Sequence, residues 1–102
     1  MKIEHYPLAK LNKQIVDIFR KHLDFKDGDI FWFGSRVRGD NFPRADIDLG
    51  IKIKDRIPAM AKFEIEEELE RLPILYKIDL VDFNNVSPDF KKQALKHIEY
   101  VK

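Results

Sequence analysis

Asp46-Ile47-Asp48 follows Gly34-Ser35 after ten intervening residues, and these two short motifs hold the residue types from which a phosphate-handling site is built. Asp is disfavoured inside strands, yet two of them at i and i+2 of a strand put both carboxylates on one face, about 6.5–7 Å apart along the chain. Left alone they repel; a divalent cation beside them turns repulsion into attraction. Hard oxygen donors of this kind suit Mg²⁺, which combines carboxylates with waters and substrate phosphates. Gly34-Ser35 follows an apolar run and precedes a short expected helix, so it offers backbone N–H groups, a hydroxyl and a positive helix end to the tail of a triphosphate. Gly34 carries no Cβ to keep the backbone away from an anion. Arg36, Arg38 and Arg44 add positive charge nearby, and Arg36 is the first choice for a phosphate contact.

The elements that must position these residues follow from hydrophobic periodicity. Leu8, Leu11, Ile15, Ile18, Phe19 and Leu23 recur every three or four residues, which predicts an amphipathic helix over 8–24, entered after Pro7 and ended by the Asp27-Gly28-Asp29 turn. Ile30 to Phe33 is a short apolar run rich in β-formers and reads as a buried strand, with Phe31 and Trp32 in the core. A short helix and a Gly39–Pro43 loop lead to residues 46–54, which alternate: Ile47, Leu49, Ile51 and Ile53 on one face, Asp46, Asp48, Gly50, Lys52 and Lys54 on the other. One face is therefore core and the other open. Residues 59–72 read as a helix with Ala61, Ile65, Leu69 and Leu72 inward and the Glu64–Glu70 acids mostly solvated; Phe63, off that stripe, is expected to wrap an edge of the core, the alternative being an exposed contact for another chain. Residues 75–83 read as a strand, and Ser87-Pro88-Asp89 as the cap of a last helix reaching about His97.

Parity selects a third acid. In the 75–83 strand Tyr76, Ile78 and Leu80 share the core side, so Asp79 points to the open side with Asp46 and Asp48, whereas Asp82 has the wrong parity unless the strand ends or bulges before it. Three carboxylates on one sheet face make the ligand set of a two-metal phosphoryl or nucleotidyl transfer site. His5, His22 and His97 show no ligand spacing and read as boundary or solvent residues. Lys52, Lys54 and Lys77 share the open-face parity and are left out of the site.

Composition bounds the rest. The 102 residues, 44% of them hydrophobic, suffice for one modest core, so a single domain over 1–102 is expected, of α/β (α+β) class: a small mixed sheet covered on one face by helices. So small a core leaves a deep cleft to be completed by a partner or a second copy. The net charge of +1 comes from interleaved acids and bases, which disfavours nucleic acid as a partner. The absence of cysteine excludes disulfides and thiolate metal sites. No stretch is long and apolar enough to span a bilayer and the N-terminus lacks signal-peptide order, so a cytoplasmic location without membrane contact is expected.

Gly34-Ser35, ten residues, Asp46-Ile47-Asp48, and Asp79 in "KIDLV" together resemble the signature of the DNA polymerase beta-like nucleotidyltransferase superfamily. The variant "GSRVRG…ADIDLG" on so short a chain is similar to the minimal nucleotidyltransferases, antitoxin-type partners of HEPN-domain proteins. The resemblance implies a palm-like nucleotidyltransferase fold that binds a nucleoside triphosphate with two Mg²⁺ ions and transfers a nucleoside monophosphate to a hydroxyl, releasing pyrophosphate. It places Ser35 at the triphosphate, where the residues themselves already put Gly34 and Arg36, Asp46 and Asp48 on both ions, and Asp79 beside the attacking hydroxyl. It further implies ATP as substrate, a tyrosine of a HEPN toxin as acceptor, and homo- or hetero-oligomeric assembly. Two other readings stay open: a catalytically silent module that neutralises its partner sterically, and transfer to a small-molecule hydroxyl.

Overall fold

This computed structural model describes residues 1, 3–24, 28–34, 37 and 46–102, and among them three helices and four strands build an α+β domain. In chain order they are α1 (Leu8–His22), β1 (Asp29–Phe33), β2 (Ile47–Lys52), α2 (Ala59–Glu70), β3 (Ile78–Asp82), α3 (Pro88–Ala94) and β4 (Glu99–Tyr100). The sheet order is β3-β2-β1-β4. β1 runs antiparallel to both β2 and β4, and β2 runs parallel to β3. A parallel pair needs a long crossover, and α2 supplies it.

The helices form where the apolar spacing places them. α1 begins after Pro7, whose fixed φ suits a helix entrance, and ends on Arg20, Lys21 and His22, cations that complement the negative end of the helix dipole. α3 is capped by Ser87, whose hydroxyl accepts from the Phe90 N–H at 3.2 Å, with Pro88 and Asp89 in its first turn. α1 and α2 lie on one face of the sheet. There Leu11, Ile15 and Phe19 of α1 and Ile65 of α2 meet Ile30, Trp32, Ile47, Leu49, Ile51 and Leu80, all 4% exposed or less. Trp32 keeps its indole N–H satisfied on Asn12 Oδ1 at 2.8 Å, as burial demands.

The opposite face carries a smaller cluster. Phe31, Phe33 and Phe83 are buried there, with Ala94 and Ile98 of α3 and its following turn packed against them. Phe31 and Phe83 sit 4.8 Å apart and Phe33 and Phe83 5.1 Å apart, edge to face, an arrangement worth about 0.5–1.5 kcal/mol per pair beyond area burial. The expectation that Phe31 and Trp32 are both core holds, on opposite faces, and the open face is closed at this one end.

Several expected boundaries move. α1 stops at His22 and α2 at Glu70, each two residues short. The strand read over 75–83 is confined to Ile78–Asp82, leaving Leu75 80% exposed. The last helix ends at Ala94, and β4, absent from the periodicity reading, follows it. Phe63 does not wrap the core: it is 56% exposed. Of the short helix after Ser35, only Val37 lies among the described residues, helical and packed on the main core. The Gly39–Pro43 loop lies outside them. No helix among the described residues is long and apolar enough to cross a membrane.

Candidate active site

Strand pairing brings the two best candidates together. Asp48 of β2 is the register partner of Asp79 of β3 on one side and of Phe33 of β1 on the other, so Phe33, Asp48 and Asp79 form a row across the sheet. Side chains directly across neighbouring strands share a face, and strand spacing puts Asp48 and Asp79 about 5 Å apart at Cα. Asp46 stands one residue before β2, exposed and on the same parity, where the parallel ladder has already begun with Ile47 N–H donating to Lys77 O at 2.8 Å. The parity argument made from sequence therefore holds for Asp48 and Asp79, the two acids within paired strands. It holds for Asp82 too: that side chain is buried, its oxygens accepting from the N–H of Ile57 at 2.8 Å and of Asn84 at 2.9 Å. Its carboxylate pins the chain after β2 to the end of β3 and takes no part in the row.

Gly34 is fitted to this row in two ways. Its φ of +83° lies in the left-handed region, and a Cβ added to it would stand 2.1 Å from Asp48 Oδ2. The space a side chain would need is thus occupied by the carboxylate itself, and the turn that ends β1 is held against the acid pair. Ser35 and Arg36, the other residues expected at the triphosphate, lie outside the described residues, as do Arg38 and Arg44.

Gly50, two residues beyond Asp48 on the same face, was not singled out by sequence reasoning. A Cβ there would meet the rings of Phe31 at 2.5 Å and Phe83 at 2.6 Å. The missing side chain lets the aromatic cluster lie on the strand and wall off the acid end of β2. The signal was present in the alternation of Phe31 and Phe33, but only the β1–β2 register shows which residue each ring covers. A cavity of about 520 Å³ opens beside the row, between Gly34 and Asp48 on one side and α3 with its following turn on the other.

The carboxylates suit a hard cation by their chemistry, although among the described residues no three His, Cys, Asp or Glu side chains come together as a set that could hold a metal ion. Mg²⁺ takes carboxylate oxygens together with waters and the phosphate oxygens of a substrate, so two neighbouring carboxylates are donors of the right kind for it.

A mixed sheet with a Gly turn facing an Asp-x-Asp strand, and a third acid on the parallel neighbour, defines a nucleotidyl-transferring class of domain. The chain belongs to the family described as polymerase beta, nucleotidyltransferase, which it matches over residues 10–101. It is 34% identical over 92 residues to the protein adenylyltransferase MntA of Thermococcus cleftensis, covering 87% of this chain and 91% of that one. It is 29% identical over 66 residues to the probable protein adenylyltransferase MntA of Haemophilus influenzae, covering 65% of this chain and 58% of that relative's length. In fold it is similar to a solved complex of a tri-AMPylated Shewanella oneidensis HEPN toxin with its MNT antitoxin. The TM-score is 0.66 and the identity 21%, covering 93% of this chain and 72% of that one.

Proposed function

We propose that this chain is an Mg²⁺-dependent protein adenylyltransferase that moves AMP from ATP to a hydroxyl of a HEPN-domain partner, a tyrosine by preference, and thereby acts as an antitoxin in the cytoplasm. The observation that carries the reading is the row Phe33, Asp48, Asp79 with Gly34 pressed against the Asp48 carboxylate. Adenylyltransferases among the relatives and an AMPylated toxin beside the MNT antitoxin in a similar fold support it.

In this reading the acceptor oxygen attacks the α-phosphorus of ATP, the bond from that phosphorus to the bridging oxygen breaks, and pyrophosphate leaves. Asp46 and Asp48 would hold Mg²⁺, with Asp79 completing the set. Bound there, the ion would offset the charge that builds on the phosphate oxygens. Gly34, and Ser35 and Arg36 after it, would receive the triphosphate. Asp79, exposed on the side of Asp48 away from Gly34, would face the incoming hydroxyl and accept its proton. A macromolecular acceptor suits this open geometry, since it brings its own walls.

The test is the intact mass of the HEPN partner co-expressed with the native chain or with an Asp46→Asn/Asp48→Asn variant. The expected result is a partner heavier by one or more AMP units with the native chain alone. A stable complex with no added mass would instead establish the steric binding module.

A further inference from the structure

The cavity beside the row reaches Gly34 and Asp48 at one end, and at the other meets Phe90, Gln93, Lys96 and His97 of α3 and the turn after it. It does not reach Asp79 among its described walls. The two sides of Asp48 are thus unequal: β3 brings an acid on one side, and β1 with α3 brings a chamber on the other. Given the nucleotidyltransferase reading, on which this inference rests, the Gly34 side is the donor's and the Asp79 side the acceptor's. A volume of about 520 Å³ lies within the range of small-molecule and cofactor sites.

The chamber's walls have the chemistry of a nucleoside site. Phe90 is 42% exposed although large and apolar, and its ring is anchored from behind, 6.1 Å from Phe33 and 6.0 Å from Phe83. An aromatic ring fixed at one edge by a buried cluster and bare on the cavity side is a ready stacking platform for a base. Gln93 is exposed one turn further along α3, and its amide offers a donor beside an acceptor, the complement of an adenine amino group and its neighbouring ring nitrogen. Lys96 and His97 put donors on the wall across from Asp48, suited to ribose and phosphate oxygens.

We infer that Phe90 and Gln93 form the donor-nucleoside pocket of this chain, Phe90 stacking on the base and Gln93 selecting adenine, so that α3 grips the nucleoside. Binding of ATP and of inorganic tripolyphosphate, each with Mg²⁺, is measured by calorimetry on the native full chain and on Phe90→Ala and Gln93→Ala. Phe90→Ala is expected to weaken ATP about tenfold and Gln93→Ala about fivefold, with tripolyphosphate affinity unchanged in both, which also shows that the variants are folded. Gln93→Ala is further expected to lose the preference for ATP over CTP. Native-like ATP affinity in both variants would overturn the pocket and leave the transferase reading standing. A native chain that binds neither ATP nor tripolyphosphate would overturn both.

Discussion

Three positions separate Asp79 from Asp82, and the side of the sheet on which each falls decides what its carboxylate does. Asp79 stands exposed in register with Asp48; Asp82 is buried and satisfied by two backbone N–H groups. That distinction was legible in the sequence because strand parity is a property of single residues and needs no knowledge of the partner strand. The place of Gly50 was not, because it depends on which rings lie across from it. With Phe31 and Phe83 atoms 2.5 and 2.6 Å from where a Cβ would stand, Gly50→Ala must displace two buried aromatics. A loss of about 2–3 kcal/mol is expected, read as a lower urea midpoint at unchanged slope. Near-native stability would mean that the aromatic cluster is loosely seated and a weak anchor for Phe90.

At the scale of elements, α1 and α2 are joined across their solvent edge by a charged clamp. Lys21 Nζ lies 2.5 Å from Glu68 Oε1, His22 Nε2 meets the other Glu68 oxygen, and His22 Nδ1 lies 3.0 Å from Glu64. The acidic run expected to be mostly solvated therefore contributes two of its members to packing, which helical spacing alone could not show because it is silent on which helix lies alongside. Hydrogen bonding from His22, then from Lys21, holds the Glu68 carboxyl below its ordinary value of 4.5, against the opposing effect of burial. A carboxyl depressed in the folded state stabilises the fold above the pKa it has when unfolded, and that contribution is lost as pH falls through the folded value. Glu68→Gln is therefore expected to lower Tm by about 3 °C near neutral pH. The gap from the native chain should close as pH drops below 4.5; a gap constant from pH 7 to 3 would show that the clamp acts by packing alone. Element ends were the least legible feature for a similar reason. β4 has two residues, too few for a periodic signal, and exists because its backbone finds Phe31 and Trp32 of β1.

For the molecule as a whole, the existence of α1, β1, β2, α2, β3 and α3, the core face of the sheet and the shared face of Asp48 and Asp79 could be read along the chain. The strand order β3-β2-β1-β4 and the chamber under α3 could not, since both come from contacts between segments far apart in sequence. A net charge of +1 spread over interleaved acids and bases leaves recognition to local features such as the acid row rather than to a general basic surface. The contact between Gly34 and Asp48 has a consequence for how this sequence is able to change. The two positions share one volume, so they are not free to vary independently: Gly34→Ala is penalised by the carboxylate as well as by its φ of +83°. Removing that carboxylate lifts the first penalty and leaves the second. A double-mutant cycle with Asp48→Ala is therefore expected to show Gly34→Ala costing about 1–2 kcal/mol less in the Asp48→Ala background, and strictly additive effects would refute the shared volume. A lineage that keeps its acid can therefore carry a side chain at 34 only by turning that carboxylate aside, and one that has lost the acid is released from that part of the constraint.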